Sequence, residues 1–338
     1  MPITLAEAKN NAQTDVDLAV IDEFRKESVL LDVLEFDDAV NPSGGGGTLE
    51  YGYRRLITQP TAAFRAYNSE YTPQNVETQK YTTELVPLGG SFEIDRVLAR
   101  IGPAASNAVT LNMAQKIKAV RTRFQDAVIN GDTAGGGADD ADGFDGLDKA
   151  LVGSDTEFRV NEVTDWSAIT SQDDSAHAAL DDLDEFLDLL DGTPTLVLGN
   201  KKAIAKFRAI VRRTGMYTRD PVEDLVGQNG RPVVRESYGG ILFADPGEKA
   251  GSSDPIIPIE DRTVDATPET GLTDLYAIRI GMTGFHGVSM ADGQLVRTWL
   301  PDFESSGAVK RGEVELGPVG VALKATRAAA VWRNIKVQ

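Results

Sequence analysis

The 338-residue chain carries 52 acidic residues against 34 basic ones, a formal net charge of -18. This balance argues against a free nucleic-acid binder, which neutralises phosphates with a clustered basic excess. The absence of cysteine excludes disulfides, thiolate nucleophiles and cysteine-held zinc or iron–sulfur centres. At 41% hydrophobic and 25% charged, the composition is that of a folded protein, long enough for one elaborate domain or two ordinary ones. Met1-Pro2-Ile3-Thr4-Leu5 has no basic n-region or apolar h-region, and no apolar run approaches the roughly 18 residues of a membrane span. A soluble protein made in the cytoplasm, without a membrane partner, is expected.

Thr4 and Glu7 fit a capping box before a short helix, and Asp15 fits the cap of a second one carrying Leu18, Ile21, Phe24 and Arg25. An apolar segment, Val29 to Phe36, leads to Asn41-Pro42-Ser43 and four glycines, Gly44 to Gly47, which read as a hinge or a loop. From Thr48 the period changes to two: Leu49, Tyr51 and Tyr53 alternate with Glu50, Gly52 and Arg54, and Lys80 to Val86 forms a second run. Between them, Ala62 to Val76 is polar with isolated Phe64, Tyr67 and Tyr71, too few apolar groups for a core. Such a two-stranded excursion is marginal alone in water and needs something to rest on, a neighbouring subunit being the simplest candidate.

Asn107 to Asn130 reads as the longest helix, roughly 36 Å, with Val109, Met113, Ile117, Val120, Phe124 and Ala127 in one stripe and Gly131 at the C′ position. Its polar face carries Lys116, Lys118, Arg121 and Arg123 against Asp126, and suits either an anionic ligand or an acidic segment of the same chain. The Gly135 to Gly146 run (GGGADDADGFDG) offers hard oxygen ligands, but counted from Asp140 its twelfth position is Leu151 where an EF-hand needs Glu, so a solvated loop is the better reading. Asp173 to Asp191 is amphipathic with eight acids and no base; after a strand, Thr195 to Leu198, the helix Lys201 to Arg213 has six bases and no acid. With β-like runs at Gly240 to Ala244 and Leu275 to Ile280, this forms a separate α/β lobe. The opposite charges can pair within the lobe or between copies around a ring. The last strands, from Val314 to Val337, are expected back on the layer that holds the long helix.

Chemistry-bearing motifs are missing. His177 and His286 are the two histidines, and the sequence has no G-x-S-x-G elbow, Walker loop, G-x-G-x-x-G fingerprint or H-E-x-x-H pair. No catalytic, cofactor or metal residues are assigned. An α/β enzyme using His177 or His286 stays open as the reading from a different class.

The order of elements, together with Leu88-Gly89-Gly90-Ser91-Phe92-Glu93-Ile94-Asp95-Arg96 leaving the hairpin, Phe144-Asp145-Gly146-Leu147 after the long helix, Gly239 to Phe243, Tyr276 to Gly281 and Ala322 to Ala329, resembles the major capsid proteins of tailed bacteriophages. The resemblance covers essentially the whole chain and implies an α+β fold of the Hong Kong 97 type. Residues 1–47 would be the N-terminal arm and 48–87 the extended loop. Residues 88–165 and 294–338 would form the peripheral domain with spine helix 107–130, and 166–293 the axial domain.

The same resemblance implies a structural protein, not an enzyme, that self-assembles as pentamers and hexamers into an icosahedral virion shell around double-stranded DNA, built in the host cytoplasm. The implied intersubunit contacts are Phe64, Arg65, Tyr67, Glu70 and Tyr71 on the loop, and Lys202, Lys206, Arg208, Asp181 and Asp184 on the axial helices. Lys116, Lys118, Arg121 and Arg123 would face packaged DNA, weakly and non-specifically. The implied partners are further copies of the chain, a portal protein and a decoration protein. The loop offers only Lys80, near its base, so a Lys–Asn cross-link between subunits is not expected. With Met1 leading straight into the arm, a separate scaffolding protein is expected. An encapsulin-type shell enclosing protein cargo has the same fold and stands as the alternative.

Overall fold

In the computed structural model, residues 29–40, 48–97, 99, 108–135, 141–169, 174–214, 218–226, 232–291 and 295–338 are described. The caps at Thr4 and Asp15 and the glycines Gly44 to Gly47 lie outside them. A one-turn helix α1 (Val29–Val33) precedes β1 (Phe36–Val40), the hairpin β2 (Glu50–Leu56) and β3 (Thr78–Glu84), and β4 (Val86–Asp95). The long helix α2 (Ala108–Asn130), short α3 (Leu147–Leu151), β5 (Glu157–Phe158) and β6 (Thr164–Asp165) follow. Next come α4 (Ser175–Asp188), β7 (Leu196–Gly199), α5 (Lys201–Arg213), β8 (Thr218–Val226), β9 (Pro232–Tyr238), β10 (Ile241–Ala244), β11 (Glu260–Val264) and β12 (Thr267–Ile278). The chain ends with β13 (Phe285–Met290), β14 (Val296–Trp299), β15 (Val309–Leu323) and β16 (Ala329–Lys336).

Strand β15, 15 residues long, organises a five-stranded sheet, pairing antiparallel with β4, β13 and β14, while β1 adds parallel to β13. A nine-stranded sheet runs β5-β16-β12-β7-β10-β9-β8, with β6 on β16 and β11 on β12. Its central strands are apolar almost throughout because both faces are covered. Leu196, Leu198, Tyr276, Ile278, Ala329 and Val331 pack toward α2, α3 and β15. Their neighbours Val197, Leu275, Ala277, Ala330 and Trp332 pack toward α4 and α5. The period of two along each strand thus sends alternate side chains into two cores.

The expectation for the last strands divides. β15 joins the layer of the long helix, but β16 crosses into the nine-stranded sheet between β12 and β5. The reason is Trp332, fully buried and in ring contact with Phe158, Trp166 and Phe186 at 5.3–5.6 Å. Gly131 needs no side chain, though not as a left-handed cap: a Cβ there would lie 2.3 Å from the Phe144 carbonyl and 2.5 Å from that of Ala127. The chain after the helix turns back against its own last turn, and Gly146 N–H donates to Gly131 O at 2.7 Å. Phe144 is thereby placed against Phe124, ring centroids 5.8 Å apart.

Candidate assembly surfaces

The hairpin is built in two unlike halves. At its root, Tyr51 is buried with Val40, Leu85, Val288 and Ala322. Its hydroxyl donates to Asp37 Oδ2 at 2.7 Å, and its ring meets His286 edge-on at 5.8 Å. Burial, then the bond to Asp37, pushes the Tyr51 phenol far above its usual range. Arg55 donates from Nε to Lys324 O at 2.9 Å, also to Leu323 O, and lies over the Tyr81 ring at 4.4 Å. Tyr53 and Tyr81 stack across the register that pairs them, 5.8 Å apart. The period-two pattern seen in the sequence is the pattern of this docked root.

Beyond the root the hairpin leaves the body of the subunit. Residues 59–80 are exposed throughout, and Phe64 and Tyr67 are 108% and 98% exposed, with Tyr71 at 62%. Polar bonds, not a core, shape this tip. Gln74 Oε1 accepts from Thr61 N–H at 2.7 Å, Arg65 donates to Ser69 O at 3.2 Å and stands over the Tyr71 ring at 5.5 Å. The five loop residues singled out in the sequence, Phe64, Arg65, Tyr67, Glu70 and Tyr71, therefore share one solvent-facing excursion.

Helices α4 and α5 pack side by side on one face of the nine-stranded sheet, burying Leu180, Leu183, Phe186, Ala203, Phe207 and Ile210 in one core. Asn200 starts α5 by accepting the Lys202 N–H at 2.9 Å, and its amide donates to Ile257 O at 2.6 Å, which fixes where the helix begins. Asp181, Asp184 and Lys202 are exposed, and Lys206 and Arg208 are partly so. Asp184 accepts from the Tyr238 hydroxyl at 3.2 Å, and Lys202 donates to the Gln338 side chain.

The basic face of α2 is more engaged than its sequence suggests. Arg121 pairs with Asp32 of α1 at 2.9 Å. Arg123 pairs with Asp126, itself 7% exposed, at 2.9 Å, and Asp126 also accepts from Asn130. Lys116 and Lys118 line a cleft with Asn112, Gln115 and Gly251. The partner of Arg121 is thus a single acid of the same chain, set in the apolar helix α1.

His177 is exposed on α4, whereas His286 is wholly buried in β13 with both ring nitrogens lacking a hydrogen-bond partner. Among the described residues, no group of three or more His, Cys, Asp or Glu is arranged to hold a metal, and no helix is long and apolar enough to cross a membrane. Sequence reasoning missed a buried ionic junction. Arg333 meets Glu157 at 2.9 Å, Asp274 at 3.1 Å, and Asp148, while Arg262 holds the same Asp274 at 2.8 Å and Tyr276 donates to Asp148 at 2.7 Å. It ties α3, β5, β11, β12 and β16 together, and residues so far apart in sequence leave no local spacing that would announce it.

No family model matches the chain, and no curated protein does so significantly. Solved structures match over its full length. The SrpI encapsulin complex of Synechococcus elongatus superposes with a TM-score of 0.60 at 15% identity, covering 100% of this chain and 98% of that one. A chain from Gordonia phage Cozz gives 0.57 at 12% identity over 99% and 94% of the two chains. The capsid of Myoviridae phage XM1 gives 0.55 at 13% identity over 98% of each. This chain has the Hong Kong 97-type capsid fold.

Proposed function

We propose that this protein is a structural shell subunit, without catalytic activity, that assembles with copies of itself as pentamers and hexamers into an icosahedral capsid enclosing double-stranded DNA. The hairpin tip carries the proposal: its aromatic rings are presented to solvent on a docked root, in a fold shared with the capsid chain of phage XM1. Covering one such ring gains about 2–3 kcal/mol before ordering costs, so the tip is ready to be stabilised by a neighbour. Residues 1–47 act as an arm and 48–87 as the loop laid over the adjacent subunit. Residues 88–165 with 294–338 make the peripheral domain, and 166–293 the axial domain, the two sharing the nine-stranded sheet through β5, β6 and β16. Asp181 and Asp184 of one copy approach Lys202, Lys206 and Arg208 of the next around the axis. Lys116 and Lys118 face the genome. The chain works with a scaffolding protein, a portal protein and a decoration protein, and functions in the virion after assembly in the host cytoplasm.

An encapsulin-type shell around protein cargo is the second reading, favoured by the full-length likeness to the SrpI encapsulin complex. Nuclease treatment of purified particles separates the two. Protected double-stranded DNA supports the capsid; particles holding only a co-purified protein favour the encapsulin reading.

A further inference from the structure

Among the described residues, two places expose a pair of consecutive large apolar side chains: Leu56 and Ile57, at 57% and 52%, and Trp299 and Leu300, at 46% and 69%. Their electrostatic settings are opposite. Leu56 lines an open cleft of about 750 Å³ together with Arg54, Arg55, Lys324 and Arg327, where Asp191 is the one carboxylate among the described lining residues. Arg54 and Arg327 are exposed, and the Arg55 guanidinium is turned toward main-chain carbonyls, which leave its charge uncompensated. Trp299 and Leu300 are followed, past Pro301, by the exposed Asp302 and Glu304, two carboxylates against the one ammonium of Lys310.

The two sites cannot meet within one subunit. Trp299 is in register with Glu313 near one end of β15, and Lys324 lies just past the other end. Eleven residues of strand separate them, roughly 36 Å at 3.3 Å per residue. A contact between unlike patches on two copies is heterologous, and such contacts propagate into rings or open arrays instead of closing as a dimer. The acids of α4 are assigned above to α5 of the next copy, which leaves residues 299–304 as the acidic, apolar-edged segment without a role.

We infer that residues 299–304 of one subunit dock in the cationic cleft at the hairpin root of a second copy, Trp299 and Leu300 covering Leu56 and Ile57, and Glu304 and Asp302 meeting Arg54 and Arg327. The inference rests on the shell reading and adds to it a second intersubunit contact, away from the hairpin tip. Such a contact would set the lie of the loop from its base.

Particle yield of full-length variants, measured by sedimentation with circular dichroism to verify folding, tests it. Arg54→Glu with Arg327→Glu is expected to lower the yield roughly tenfold or more, since like charges then face one another. Adding Glu304→Lys to that variant is expected to bring the yield back to within roughly threefold of the unaltered chain. An unchanged yield from the double reversal, or no recovery in a folded triple variant, overturns the contact while leaving the shell reading in place. Absence of particles from the unaltered chain with scaffolding protein present removes the shell reading, and this contact with it.

Discussion

The Tyr51 hydroxyl donates to Asp37 Oδ2 at 2.7 Å, fastening the root of the hairpin to the parallel strand β1. Lys324 stands nearby, 3.8 Å from the same carboxylate and 5.3 Å from the Tyr51 ring. Replacing Tyr51 by Phe keeps the ring in its apolar cluster and removes the bond to the Asp37 carboxylate. The expected cost is about 1.5–3 kcal/mol of stability, read by chemical denaturation. A change below about 0.5 kcal/mol would mean that the ring, not the hydroxyl, holds the root.

His286 makes the root sensitive to acid. Burial, reinforced by Lys324, lowers its pKa below 6.5, against a smaller opposing pull from Asp37. A lowered folded-state pKa means the unfolded chain binds the proton more readily, so the stabilisation is complete above pH 6.5 and is lost as pH falls below it. His286→Phe should flatten the slope of stability against pH just below that value. An identical slope in the variant would show that other groups set the acid response.

The junction around Arg333 is a different kind of device. Its carboxylate partners Glu157 and Asp274 are 9% and 4% exposed. Arg333→Leu strands Glu157, while Asp274 keeps Arg262 at 2.8 Å, and is expected to cost about 3–5 kcal/mol, measured as loss of unfolding free energy. Adding Glu157→Gln to that variant should recover part of the loss, because the stranded charge is gone. A loss under about 1 kcal/mol would show that Glu157 reaches water without its partner.

The axial helices carry a salt-dependent prediction. Lys202→Glu, Lys206→Glu and Arg208→Glu together should reduce assembly roughly three- to tenfold at low ionic strength. The reduction should shrink at physiological salt, where charges are screened beyond roughly 8 Å. Assembly indifferent to the triple reversal would leave these side chains solvated and without an interface role.

How much was readable in the sequence follows from how local each signal was. The long helix over residues 108–130, the two amphipathic helices and the hairpin root follow periods of 3.6 and 2 that neighbouring residues carry among themselves. β4 is masked by Gly89 and Gly90, which look like a turn. In the sheet, a Cβ at Gly89 would sit 2.7 Å from the Val314 carbonyl, so the glycine serves close strand approach. The β11–β12 turn is hidden because Asp265 and Ala266, at φ 45° and 62°, make it without glycine. The exposed tip was legible as a segment without a core. The pairing of Arg121 with Asp32, the Arg333 junction and the cationic cleft were not, since each joins residues whose proximity exists only after the sheets have formed.

The central claim is that the chain closes into shells through a hairpin stabilised by a neighbour. Electron microscopy of two proteins tests it: the unaltered full chain, and a variant lacking Ala62 to Val76, in which circular dichroism is expected to be nearly unchanged because the deleted residues are exposed. Closed particles from the first and dispersed, folded subunits from the second are the predicted result. Closed particles from both would contradict the role of the hairpin, and persistent monomers of the unaltered chain, even with scaffolding protein present, would contradict the shell itself.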